Sequence, residues 1–133
     1  MIVLLFSVVI HEVAHGSVAN YLGDATAKHS GRLTLNPIKH LDPLGSILLP
    51  LFLAILGAPI IGWAKPVPIN PYNFRDQKWG ELKVSLAGPA SNFLIAIIFA
   101  AIIRFLPLPS SLLTLFGIIS IYNFLLGIFN LIP

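Results

Sequence analysis

The sequence has no cysteine, which excludes a disulfide framework and a thiolate metal site, so any metal must be held by His, Asp or Glu. It is also poor in charge: 10% of its 133 residues are Asp, Glu, Lys or Arg, against roughly 25% in soluble globular domains. A water-soluble domain of this length needs far more polar surface to cover its core, so an ordinary soluble domain is excluded. The net charge is +3, yet the basic residues lie mostly in short loops between apolar runs and form no stripe, which argues against a nucleic-acid partner. What is abundant is apolar surface, with 56% of residues hydrophobic. The partner implied is the lipid bilayer. The chain reads as an integral, multi-pass membrane protein, with the cell membrane its expected location.

Four apolar stretches predict an all-α polytopic bundle of three or four spans, read as a single membrane-embedded unit over residues 1–133. The first, Met1 to about Leu22, would be about 33 Å long as a helix, enough to cross a bilayer core. No basic residue precedes it, and His11, Glu12 and His15 interrupt it, so it reads as a retained helix rather than a signal peptide. The second, Leu44 to Trp63, contains Pro50, Gly57 and Pro59 and predicts either a kinked span or a re-entrant segment. The third, Val84 to Leu106, places Gly88-Pro89 in its first turns, where proline costs a helix least. The fourth runs from Ser111 to Ile132. Between these lie two polar loops, Gly23 to Pro43 and the proline-rich Ala64 to Lys83. The alternation Arg32-Leu33-Thr34-Leu35 predicts a short surface strand in the first.

Orientation should follow the basic residues of short loops. If all four stretches span, Lys28, Arg32, Lys39 and Arg104 fall on one side and Lys65, Arg75, Lys78 and Lys83 on the other. The two sides tie, and the rule gives no orientation.

The stretch His11-Glu12-Val13-Ala14-His15 carries the chemistry. Ionisable groups at mid-bilayer cost roughly 2.5 to 3.5 kcal/mol each on insertion scales, so they face an interior and usually serve a function. Residues at i and i+4 share one helix face, so both imidazoles can reach a single zinc ion. Glu12, beside the first of them, can reach a water activated by that ion. Such a set serves hydrolysis. The carboxylate takes a proton as water attacks a carbonyl carbon, then passes it to the leaving amine. The other reading is a membrane metal-binding or transport protein that cleaves nothing, but the remaining spans offer no further titratable residue except Arg104 near an end. A serine route lacks an activated nucleophile, and an aspartyl route lacks paired carboxylates, since Asp24, Asp42, Asp76 and Glu81 lie in loops or at span ends.

Taken together, His11-Glu12-Val13-Ala14-His15-Gly16, Gly31-Arg32-Leu33-Thr34-Leu35-Asn36-Pro37 with His40-Leu41-Asp42-Pro43, Ala87-Gly88-Pro89-Ala90-Ser91-Asn92, and Phe129-Asn130-Leu131-Ile132-Pro133 resemble the short-form site-2 proteases, which are intramembrane zinc metalloproteases. The resemblance covers essentially the whole chain. It implies one zinc ion held by His11 and His15, Glu12 as catalytic acid and base, and transmembrane proteins as substrates. It also implies a third zinc ligand, an aspartate soon after the position of Pro133. The expectation is therefore a protease core cut short before that ligand, or an inactive fragment of the protease. It names no regulator.

Asn92 and Asn130 are candidate substrate-binding or oxyanion residues, each weighed against a packing role. Asn123 reads as an interhelical hydrogen bond. His40 and Asp42 read as a surface pair worth little. Gly117, Gly127 and the small pairs Ala87/Ser91 and Ala96/Ala100 read as close-packing positions.

Overall fold

The computed structural model describes residues 2–132. Its helices, in chain order, are α1 (Ile2–Tyr21), the single turn α2 (Thr26–His29), α3 (Leu49–Ile55), α4 (Gly80–Phe105) and α5 (Ser110–Phe129). α1, α4 and α5 are long and apolar enough to cross a membrane. α4 packs against both α1 and α5. Their outer faces expose Leu4, Phe6, Leu94, Ile97, Ile98, Leu113 and Ile121, while Ser7, His11, Asn92 and Asn123 are buried between them. A bundle apolar outside and polar within is the inverse of a water-soluble fold, and is stable only where the outer faces meet lipid.

The second apolar stretch forms no span. A wider π-helical turn over Pro43–Leu48 runs into α3, and the chain reverses at Gly57, whose φ is +67°. An extended segment then comes back alongside the turn. Ser46 Oγ donates to Trp63 O at 2.6 Å, Trp63 N to Gly45 O at 3.2 Å and Lys65 N to His40 O at 2.8 Å. Gly45 makes this closure possible, because a Cβ there would overlap the Trp63 indole. The stretch is a re-entrant hairpin with both ends on one side of the bundle, so among the described residues three helices, not four, are long enough to cross.

The predicted strand at Arg32 to Leu35 does not form, and no strand occurs among the described residues; the loops share one antiparallel bridge, Leu41 with Ala64. A strand needs a partner for its backbone groups, and here side chains take them: Thr34 O accepts from His40 Nε2 at 2.8 Å and Asn36 N donates to Thr34 Oγ1 at 3.2 Å. His40 is fully buried and makes no pair with Asp42. Asp42 instead caps the π turn, accepting from Leu44 N and Gly45 N at 2.9 Å each. Of the two glycines expected to allow close packing, Gly127 lies against Phe93, but no atom lies within 4 Å of the Cβ position of Gly117.

α4 begins at Gly80, four residues before the apolar run, after a turn that Asp76 holds: Asp76 Oδ1 accepts from Trp79 N at 2.9 Å, and Oδ2 pairs with Lys83 at 2.6 Å. The Lys83 hydrogen bond and the Trp79 amide hold the Asp76 carboxyl below its ordinary range. Pro89 therefore lies in the helix interior rather than its first turns, and its missing N–H leaves Ser85 O without its helical donor.

Asp24 ties the end of α1 to the loop that leads into α4. Fully buried, it accepts from Thr26 N and Oγ1, from Asn70 N at 2.7 Å and from Asn73 Nδ2 at 2.9 Å. Burial alone would raise its pKa, but these hydrogen bonds outweigh burial and hold the carboxyl below the ordinary range. Close by, Ala19, Leu22, Phe74 and Val84 form a small apolar core.

Candidate metal centre

His11 and His15 lie one turn apart on the face of α1 that meets α4. Each ring is fixed through Nδ1. His15 Nδ1 is 2.6 Å from Val84 O, and His11 Nδ1 is 2.5 Å from Asn92 Oδ1. A carbonyl oxygen only accepts, so both Nδ1 atoms donate, and in the neutral rings both Nε2 atoms carry lone pairs. Those lone pairs meet: the two Nε2 atoms are 3.0 Å apart, with the rings nearly perpendicular at 82°. Two lone pairs at that separation repel unless a proton or a metal ion lies between them.

The pair fits a zinc ion. Two nitrogens bound tetrahedrally at 2.0 to 2.1 Å from zinc lie about 3.3 Å apart, close to the 3.0 Å observed. Zinc-bound histidines also donate their second ring N–H to a carbonyl or carboxylate, as both do here. Space is reserved as well, because a Cβ on Gly88 would overlap both Nε2 atoms. No group of three His, Cys, Asp or Glu residues positioned to hold a metal occurs among the described residues. Among the described residues, His11 and His15 are thus the two candidate ligands.

Glu12 is half-buried and points away from the histidine pair's hydrogen bonds, toward the extended segment before α4. Its Oε2 accepts from Val67 N at 2.9 Å. Val67 is a site residue that sequence reasoning did not single out. The only signal was its place between Pro66 and Pro68, which keep the backbone extended and leave Val67 as the sole N–H donor of the three.

Asn92 is fully buried, and its amide is fully engaged. Oδ1 accepts from His11, while Nδ2 donates to Asn123 Oδ1 at 2.8 Å and to Ser7 O at 3.4 Å. Asn123 does form an interhelical hydrogen bond, and through Asn92 it reaches His11. Asn130 is separate. It caps the end of α5, exposed, with Nδ2 donating to Leu126 O at 2.8 Å, and no hydrogen bond joins it to the histidines.

Comparison with known proteins adds the chemistry of relatives. The chain is 48% identical over 98 residues to "Putative zinc metalloprotease YwhC" of Bacillus subtilis, covering 74% of this chain and 42% of that protein. It is 33% identical over 100 residues to "Putative zinc metalloprotease Rip2" of Mycolicibacterium smegmatis, covering 75% of this chain and 38% of the relative. It is 30% identical over 132 residues to "Zinc metalloprotease MJ0392" of Methanocaldococcus jannaschii, 99% of this chain and 29% of the relative. The chain spans less than half the length of these relatives. No family model and no solved structure matches it.

Proposed function

We propose that this chain is the membrane-embedded core of a site-2-type zinc metalloprotease, an endopeptidase that hydrolyses peptide bonds of transmembrane proteins within or near the bilayer. The observation that carries the reading is the pair of opposed Nε2 lone pairs 3.0 Å apart on a membrane-length helix. Leaving them unfilled inside a bundle is unfavourable, and a divalent cation resolves the repulsion. The names of the relatives supply the ion, zinc.

His11 and His15 hold the ion in this reading, and the third protein ligand that a catalytic zinc requires is the aspartate that the resemblance places beyond Pro133. A zinc ion held there would supply Lewis-acid polarisation of the scissile carbonyl and a water acidic enough to react near neutral pH. Glu12 takes the proton from the attacking water at its carboxylate and delivers it to the leaving amine. The Val67 amide N–H holds one carboxylate oxygen and leaves the other, Oε1, to handle the proton. Asn92 holds the His11 ring. Asn130, with its exposed amide, is the residue available to donate to a substrate carbonyl. The substrate helix unwinds locally, because helical carbonyls are otherwise occupied by backbone hydrogen bonds.

The re-entrant hairpin also supports an orientation. With both of its ends on one side, Lys28, Arg32, Lys39, Lys65, Arg75, Lys78 and Lys83 fall together and Arg104 stands alone, which supports a loop side that faces the cytoplasm of a cell membrane. The zinc site then lies toward the cytoplasmic half, six residues before the end of α1 at Tyr21 in the case of His15.

The test uses the full-length protein in detergent, with zinc content and cleavage of a model transmembrane peptide measured for wild type, Glu12→Gln and His15→Ala. Expected are zinc in wild type and Glu12→Gln, cleavage by wild type alone, and loss of zinc in His15→Ala. Zinc without cleavage of any peptide in a broad panel would replace the protease reading with metal binding or transport. Absence of zinc from wild type would remove the metal centre.

A further inference from the structure

The hydrogen bonds behind His11 run in one direction, and the direction is fixed far from the metal centre. Ser7 Oγ donates to Val3 O at 2.8 Å, so its oxygen is free to accept from Asn123 Nδ2 at 2.9 Å. The same Nδ2 donates to Ile119 O at 2.9 Å. These acceptors leave Asn123 Oδ1 facing Asn92 Nδ2, which in turn leaves Asn92 Oδ1 facing His11 Nδ1. A primary amide has nearly the same shape when its oxygen and nitrogen exchange places, so only its partners choose between the two orientations. Turning Asn123 over would set its oxygen 2.9 Å from Ile119 O. Turning Asn92 over would set its oxygen against Ser7 O and a donor against His11 Nδ1.

That second inversion matters chemically. A donor facing Nδ1 requires Nδ1 to be the acceptor, and the ring proton then moves to Nε2, the atom that faces His15. A protonated Nε2 cannot ligate a metal. We propose that Asn123 is a positioning residue for the metal centre: acting through Asn92, it holds His11 in the tautomer with the proton on Nδ1 and the lone pair on Nε2. The inference rests on the metal-centre reading but concerns a residue of a different helix. The nearest carbonyl anchors, Val3 O on α1 and Ile119 O on α5, make the tautomer depend on the docking of all three long helices. Asn123 is itself buried, 1% exposed, so no solvent competes for its amide.

The experiment measures the tautomer and the zinc affinity separately, in the full-length protein in detergent micelles. Histidine isotopically labelled at its ring nitrogens distinguishes protonated from lone-pair nitrogen by NMR, and the His11 signals are assigned by their loss in His11→Ala. In metal-free wild type, His11 carries its proton on Nδ1. In Asn123→Leu, a share of His11 moves to the other tautomer, and zinc affinity, read by chelator competition, falls about 10- to 100-fold, the usual cost of losing an outer partner of a metal ligand. Asn123→Asp, held as the neutral acid in this buried setting, keeps an acceptor opposite Asn92 Nδ2 and an O–H donor toward Ile119 O, and restores both the tautomer and most of the affinity. A merely structural role for Asn123 would lower stability in both variants and leave the tautomer unmoved. Unchanged tautomer and affinity in Asn123→Leu overturn the proposal. So does a metal-free wild type with its His11 proton on Nε2, a result that requires no variant to fold. Wild type that takes up no zinc and cuts no peptide overturns the protease reading instead, while the metal-free tautomer decides the role of Asn123 independently.

Discussion

Gly88 lies so close to His15 that a methyl group on its α-carbon would overlap the ring's Nε2, and it meets His11 Nε2 in the same way. The α4 backbone thereby forms one wall of the candidate metal centre. Gly88→Ala must push the rings or the helix aside, at about 1 to 3 kcal/mol for overpacking. The expected outcome is a protein that still inserts in the membrane but loses zinc, and with it peptide cleavage. Metal analysis of the purified variant checks this; full zinc occupancy would show that the rings relax without loss.

Val67 should matter through its backbone rather than its side chain. Val67→Ala keeps the N–H that holds Glu12 Oε2 and should retain activity. Val67→Pro removes it. A hydrogen bond to a charged group is worth about 1.5 to 3 kcal/mol, so kcat/KM should fall roughly 10- to 100-fold in Val67→Pro with zinc still bound. Kinetics on a model transmembrane peptide, paired with zinc content, separates this effect from loss of the metal.

The Asp24 clamp predicts an acid limb. Its folded pKa is depressed, so its contribution to stability is present above the unfolded value of about 3.9 and is lost as pH falls through the lower, folded value. Amide hydrogen exchange at Asn70, which donates to Asp24 at 2.7 Å, should quicken over that acidic range in wild type. In Asp24→Asn the amide should exchange faster already at neutral pH, with little further change on acidification. Equal exchange in the two proteins at neutral pH would remove the clamp from the account.

The re-entrant hairpin makes a topological prediction that the absence of native cysteine makes easy to read in this chain. Single cysteines at Lys39 and Lys65 should both react with a membrane-impermeant thiol reagent from the same side, and a cysteine at Leu108, between α4 and α5, from the opposite side. Labelling of Lys39→Cys and Lys65→Cys from opposite sides would make the hairpin a fourth span.

Much of this protein is determined by its sequence alone. Scarce charge and long apolar runs require helices in lipid, because no other open structure satisfies its backbone there. The spacing of His11 and His15 places two imidazoles on one face through helix geometry, and Glu12 follows from its place beside the first. These are local relationships, within one element and at short range, and a chain carries them whatever it folds against. Tertiary structure decided the rest, because each remaining choice depended on groups distant in sequence. Whether Leu44 to Trp63 crosses or returns turns on Trp63 fitting over Gly45. The start of α4 turns on Asp76 holding the turn before it, which moves Pro89 into the helix interior. The alternating stretch at Arg32 to Leu35 lost its strand to hydrogen bonds with Thr34. The donors and acceptors that set the chemistry of the site, Val67 on Glu12, Val84 on His15, and Asn123 through Asn92 on His11, come from other elements. An amide or a ring nitrogen acquires a direction only when its partner is in place, and a sequence records the group but not the partner.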